Sequence, residues 1–273
     1  MKLKGFMDDA YGGKVRRKKR LEKRSGDFVL GFEDFVQRLG EKPSRKDVEE
    51  LAPSDEKHLL SLVTSATPEN NKRDQKTWGY LSGLAAERSP EPLILPARDF
   101  AGLGMKSGML ILDAKSKDQA LSPPSHVGEG MTGGRILVRG GAGHYLGQVM
   151  EGGGIVADSC EDYAFRNMKG GWGVVKGNAQ NYLGVGNFGG KILVKGKAGL
   201  RTGWLMHGGR IRVNGNVGYY LGLMMSGGKI SIGGRSGGKA GWRMKGGTII
   251  AQGYGPNVGA GKVGGKIFRR TAD

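Results

Sequence analysis

The side chains able to do chemistry are few and dispersed. The four histidines, His58, His126, His144 and His207, form no His-x-x-x-His pair, and His144 and His207 fall at different repeat positions. No Cys-x-x-Cys or Gly-Lys-Ser/Thr sequence occurs, so zinc and phosphate-loop chemistry lack their usual spacings. Cys160 is alone, which excludes an internal disulfide. One stretch concentrates acid: Asp158-Ser159-Cys160-Glu161-Asp162-Tyr163, which with Glu151 holds four of the eight acidic residues beyond position 100. Carboxylates at this density suit a cation or a basic partner segment, making Asp158, Glu161 and Asp162 the metal candidates. The plainer reading, and the favoured one, is a polar corner with solvated carboxylates and an inert thiol, Tyr163 and Phe165 serving as packing residues. No catalytic or cofactor-binding residue is expected, and no cofactor in this chain.

The elements that carry these residues are set by glycine. Of 273 residues 53 are glycine, and 45 of those lie between Gly102 and Gly265. Collagen needs a strict third-residue period, which is absent, and a flexible linker would not place apolar residues at fixed offsets. Gly-Gly pairs begin at 133, 152, 170, 189, 208, 227, 246 and 264, in steps of 18 or 19 residues. Two residues before most pairs stands a methionine (Met131, Met150, Met168, Met206, Met225, Met244), with Asn187 the exception among the complete repeats. A degenerate earlier copy runs from Met105 to Leu112.

After each pair comes a short alternating segment such as Lys191-Ile192-Leu193-Val194-Lys195, a strand signal of period 2. Stacked coils would align Ile136, Ile155, Ile192, Ile211, Ile230 and Ile249 in one inner column, and Val138, Val175, Val194, Val213 and Ile232 in a second. The expected fold is mainly β: a right-handed parallel β-helix of about eight coils with a partly helical N-terminal extension. Outward positions then form the candidate binding surface. Leu137, Val156, Val174 and Leu193 make an apolar stripe, flanked by Arg135, Lys191 and Arg210 on one side and Arg139 and Lys195 on the other. Such a stripe either docks a partner or is covered by this chain's own N-terminal helices.

The repeated Gly-Gly-x-Ile-x-Val-x-Gly-x-Ala-Gly resembles the GXGXG superfamily of β-helices. Gly128-Glu129-Gly130-Met131-Thr132-Gly133-Gly134-Arg135-Ile136-Leu137-Val138-Arg139-Gly140 looks like the pattern of the β-helical subunit of formylmethanofuran dehydrogenase. Tyr163-Ala164-Phe165-Arg166-Asn167 is reminiscent of the C-terminal domain of glutamate synthase. The resemblance covers roughly residues 100–268. It implies a non-catalytic structural subunit, bound to other enzyme subunits that carry molybdopterin or tungstopterin, or flavin and iron–sulfur clusters.

Outside the repeat, residues 1–26 read as a basic arm and residues 27–99 as a helical extension, with 100–273 forming the β-helix. Phe28, Phe32, Phe35, Val36 and Leu39 share a face; Ser44 and Ser54 offer N-caps, and a later segment holds Trp78, Tyr80, Leu81 and Leu84. These helices are expected to lie on the solenoid, cap its first coil or wrap a partner. The formal charge is +18, of which +15 falls on residues 101–273. That excess keeps nucleic acid or another polyanion open as a partner. No run of 18 apolar residues and no apolar leader after Met1 are seen, so a cytoplasmic protein without a membrane span is expected.

Overall fold

The alternating segments behind the Gly-Gly pairs form strands that stack in parallel. The computed structural model describes residues 31–113 and 122–270, so the basic arm and Phe28 lie outside the described residues. The strands are β1 (Leu93–Pro96), β2 (Met109–Asp113), β3 (Arg135–Ala142), β4 (Gly154–Cys160), β5 (Trp172–Val175) and β6 (Lys191–Val194). They continue as β7 (Arg210–Val213), β8 (Lys229–Ile232), β9 (Arg235–Ser236), β10 (Thr248–Ala251), β11 (Gly253–Tyr254) and β12 (Lys266–Arg269). Ten of them form one sheet in the order β1-β2-β3-β4-β5-β6-β7-β8-β10-β12, while β9 and β11 pair separately. The result is a parallel β-solenoid of about nine turns. Its sheet begins at β1, before the expected boundary at residue 100. No Gly-Gly pair announces that strand, so the repeat pattern misses it.

Register follows the repeat. Ile136 pairs with Ile155, and Ile192, Ile211, Ile230 and Ile249 continue the inner column, each no more than 2% exposed. Coils stack so tightly that the first glycine of a pair has no room for a side chain: a Cβ on Gly133 would sit 2.0 Å from the Lys106 carbonyl oxygen. Gly173 interrupts the isoleucine column, and the ring of Phe165 fills the gap; a Cβ there would meet Phe165 Cζ at 2.2 Å. In the methionine column, buried Asn187 satisfies its own amide by bonding to the carbonyl and N–H of Gly190, both at 3.0 Å. Register, side-chain volume and polar satisfaction therefore agree around the interior.

Among the described residues four helices precede the sheet: α1 (Phe32–Arg38), α2 (Arg45–Leu51), α3 (Glu56–Thr64) and α4 (Lys72–Arg88). Ser44 caps α2 in a reciprocal capping box with Asp47. The cap of α3 is Asp55 rather than Ser54, its Oδ2 accepting from the His58 N–H at 2.9 Å. Phe35, Val48, Leu59, Leu62, Trp78 and Leu81 are buried in one apolar cluster continuous with the solenoid interior. Of the three placements open to these helices, the structure shows them capping the first coil. Elsewhere a coil donates to the carbonyls of the coil beneath, as Gly128 N–H does to Ala101 O (2.9 Å) and Thr132 N–H to Met105 O (2.8 Å). The equivalent donors of the first coil, Gly102 and Lys106, have no coil beneath among the described residues. Ser82 Oγ accepts from Gly102 N–H at 3.0 Å and Glu87 Oε1 from Lys106 N–H at 2.5 Å. Helix α4 thus presents side-chain acceptors where a coil would present backbone.

Candidate functional site

Period-2 alternation sends Leu137, Val156, Val174 and Leu193 to the outer face of the sheet, and the parallel register places them in one column. The column is longer than the repeat suggests. Ile94 and Ile111 precede Leu137 in the same register, so six apolar residues follow one another. Arg212 and Ser231 interrupt it before Ile250 and Phe268 resume it. Leu110 and Leu112 pointing inward was the available signal for Ile111; Ile94 carried none, because β1 has no repeat signature. Helix α4 packs against β1 and β2, at the end of the solenoid. Leu137, Val156, Val174 and Leu193 stay half-exposed, and Ile94 is 58% exposed.

Basic rows border the stripe. Arg135, Lys191 and Arg210 are exposed in one flanking column, which continues to Lys229. Trp172 also belongs to this column, its indole lying across Gly154 of the preceding coil. Arg139 and Lys195 are exposed on the other side. Among the described residues none of Arg135, Arg139, Lys191, Lys195 and Arg210 has a carboxylate partner. The face therefore combines half-exposed apolar area with positive charge, unpaired along the row of Arg135, Lys191 and Arg210 and partly offset by Asp113 and Asp158 on the other side, which suits an apolar surface with carboxylates along one rim.

The acidic coil is dispersed rather than gathered. Asp158 lies on the sheet face, where it bonds Lys176 Nζ at 3.1 Å and accepts from Gly140 N–H at 2.8 Å. Glu161 faces His144 Nε2 at 3.1 Å. Asp162 turns to the next coil and accepts from Asn181 N–H at 2.8 Å. Among the described residues no group of three His, Cys, Asp or Glu side chains is placed to hold a metal ion. Cys160 lies in an inner column with Ala142 and Ala179, and burial pushes its thiol up to about 12. At neutral pH it is a protonated, inaccessible thiol rather than a nucleophile.

A second ordered array runs down one corner. Phe100, His126, Tyr145, Tyr163 and Tyr182 stack ring on ring, with centroids 4.5 to 5.2 Å apart. Arg201 follows over Tyr182 and Tyr220, and Lys239 over Tyr220 and Trp242. Every residue of this ladder from Phe100 to Lys239 has positive φ, between 55° and 64°. The stacking and cation–π contacts recover part of the cost of that conformation. Ring faces are spent on one another, so the ladder is structural. Beside it a groove of about 410 Å³ lies between Arg166, Asn167, Gly186, Phe188, Trp204 and His207.

No protein-family model matches the chain, and no curated protein matches it. The functional reading therefore rests on the geometry of the outer sheet face and on the sequence resemblance.

Proposed function

We propose that this chain is a non-catalytic scaffold subunit of a multisubunit cytoplasmic enzyme, and that it docks a partner subunit along the outer sheet face. The observation that carries this is the stripe from Ile94 to Leu193, buried at Ile111 but half-exposed from Leu137 to Leu193, beside the row of Arg135, Lys191 and Arg210, which have no carboxylate partner among the described residues. A monomer that presented only solvated polar side chains there would need no such column. The fitting partner surface is apolar at its centre and acidic at its rim.

The sequence resemblance orders the candidate complexes. A formylmethanofuran dehydrogenase-like enzyme of C1 metabolism comes first, with molybdopterin or tungstopterin and iron–sulfur clusters in the partner subunits. The structural component of a split glutamate synthase, beside a flavin-containing subunit, comes second. A polyanion-binding solenoid is the reading of a different class, and the charge of +18 favours it. It leaves the apolar centre of the face without a purpose.

The test is co-purification of the tagged full chain from its native cell. Stoichiometric enzyme subunits are expected, and Leu193→Asp should lower their recovery at least about tenfold while leaving the thermal transition unchanged. Recovery of the lone chain, or an unaffected complex with Leu193→Asp, defeats the reading. Retention on nucleic acid that falls steeply between low and moderate salt would install the polyanion reading instead.

A further inference from the structure

The two ends of the solenoid are finished differently. At the first coil, α4 supplies Ser82 and Glu87 as acceptors. At the other end β12 pairs with β10 on one side and, among the described residues, with no strand on the other. Lys266 N–H donates to Gly247 O at 2.9 Å and Arg270 N–H to Ala251 O at 2.8 Å. Backbone donors alternate in direction along a strand, so the N–H groups of Ile267 and Arg269 turn to the open edge.

Residue types on this coil depart from the repeat at the inner positions. Lys262 takes the place that methionine holds in Met206, Met225 and Met244. Arg269 pairs with Ala251, so it stands in the column of Val194 and Val213. Their cationic heads bend to carbonyls, Lys262 Nζ to Gly265 O at 3.2 Å and Arg269 Nε to Gln252 O at 3.0 Å. Ile267 is half-exposed where its counterparts are buried, and Val263 and Phe268 are 82% and 49% exposed. Lys262, Lys266, Arg269 and Arg270 are all exposed, and none has a carboxylate partner among the described residues.

We propose that the open edge of β12 is a strand-addition site for an extended acidic segment of another protein chain, and that its four cations bar a second copy of this one. A coil stacked there in the ordinary way would have to bury Lys262 and Arg269 unpaired, which is strongly unfavourable. A second copy would add four more cations across an antiparallel pair. An acidic strand meets both demands: its backbone satisfies Ile267 and Arg269, and its carboxylates neutralise the rim. Glu87 already does this for a single backbone donor at the other end. The same charges that select the partner exclude self-association. This surface is separate from the outer face and stands or falls independently of it.

The chain itself can supply the acidic probe. A fourfold variant, Lys262→Glu, Lys266→Glu, Arg269→Glu and Arg270→Glu, is mixed with the natural chain and weighed by light scattering. Each alone should be monomeric, whereas the 1:1 mixture should reach about twice that mass through β12–β12 pairing, and lose it as salt is raised. Replacing Arg269→Glu by Arg269→Pro in the variant removes one edge donor and should weaken the mixed species. If the fourfold variant fails to fold, Lys262→Glu with Arg270→Glu alone keeps the same question answerable. A mixture that stays monomeric with both chains folded, or a natural chain that dimerises through β12 by itself, overturns the proposal.

Discussion

Phe165 occupies the corner position that glycine holds in the neighbouring coils (Gly147 and Gly184), with φ at 57°. Its ring enters the space that Gly173 leaves open in the isoleucine column. The two residues exchange volume between corner and strand, so each substitution should hurt alone and help together. Phe165→Gly should cost about 3 kcal/mol, the cavity outweighing the relief of a left-handed phenylalanine. Gly173→Ile alone should cost a further amount of at least about 1–3 kcal/mol through overpacking. The double variant restores the repeat pattern and should recover most of both losses in denaturant titration. Simple additivity would show that the residues do not share one space. Neither could be paired from sequence, because they sit in different coils and each looks like an isolated lapse in the repeat. The inner columns, by contrast, were legible: a period-2 strand at an 18- or 19-residue spacing leaves little freedom in register.

At the level of elements the decisive contact is the seat of the helices on the first coil. Arg45 bridges Glu49 at 2.8 Å and Glu87 at 2.7 Å and donates to Gly104 O at 2.6 Å, while Lys106 reaches Glu49 at 2.9 Å. These ties join α2, α4 and the first corner. The hydrogen bond from Lys106, then that from Arg45, holds the Glu49 carboxyl below its ordinary value of 4.5, against the opposing effect of burial. A carboxyl lowered in the folded state contributes stability that is complete above its unfolded pKa. That contribution is lost as pH falls through the lower folded value. Acidification below about pH 4.5 should therefore loosen the helical cap first. Hydrogen exchange should show Gly102 and Lys106 amides losing protection before Ile211 and Ile230; equal loss would mean the ion network does not seat the cap. The sequence showed that helices precede the solenoid and that Ser44 caps one of them. It did not show the seat, since nothing in the local pattern marks Ser82 or Glu87 as stand-ins for a missing coil.

For the whole molecule, the helices and coils share one apolar cluster, so the cap is part of the core rather than an appendage. A chain lacking residues 1–92 would expose β1 and the donors of Gly102 and Lys106 as a bare edge. It should associate or precipitate at concentrations where the full chain stays dispersed, as light scattering would detect. A monodisperse truncated chain would show that the first coil needs no cover. The outer stripe was partly legible from residue spacing, through Leu137 to Leu193. Its continuation to Ile94 and Ile111 depended on strands before the regular repeat. The stacked rings from Phe100 to Tyr182 have a separate consequence along the same axis. Aromatic chromophores held face to face at about 5 Å share their electronic excitations. The near-ultraviolet dichroism of this protein should therefore carry an exciton couplet, an optical gauge of how tightly the coils are wound.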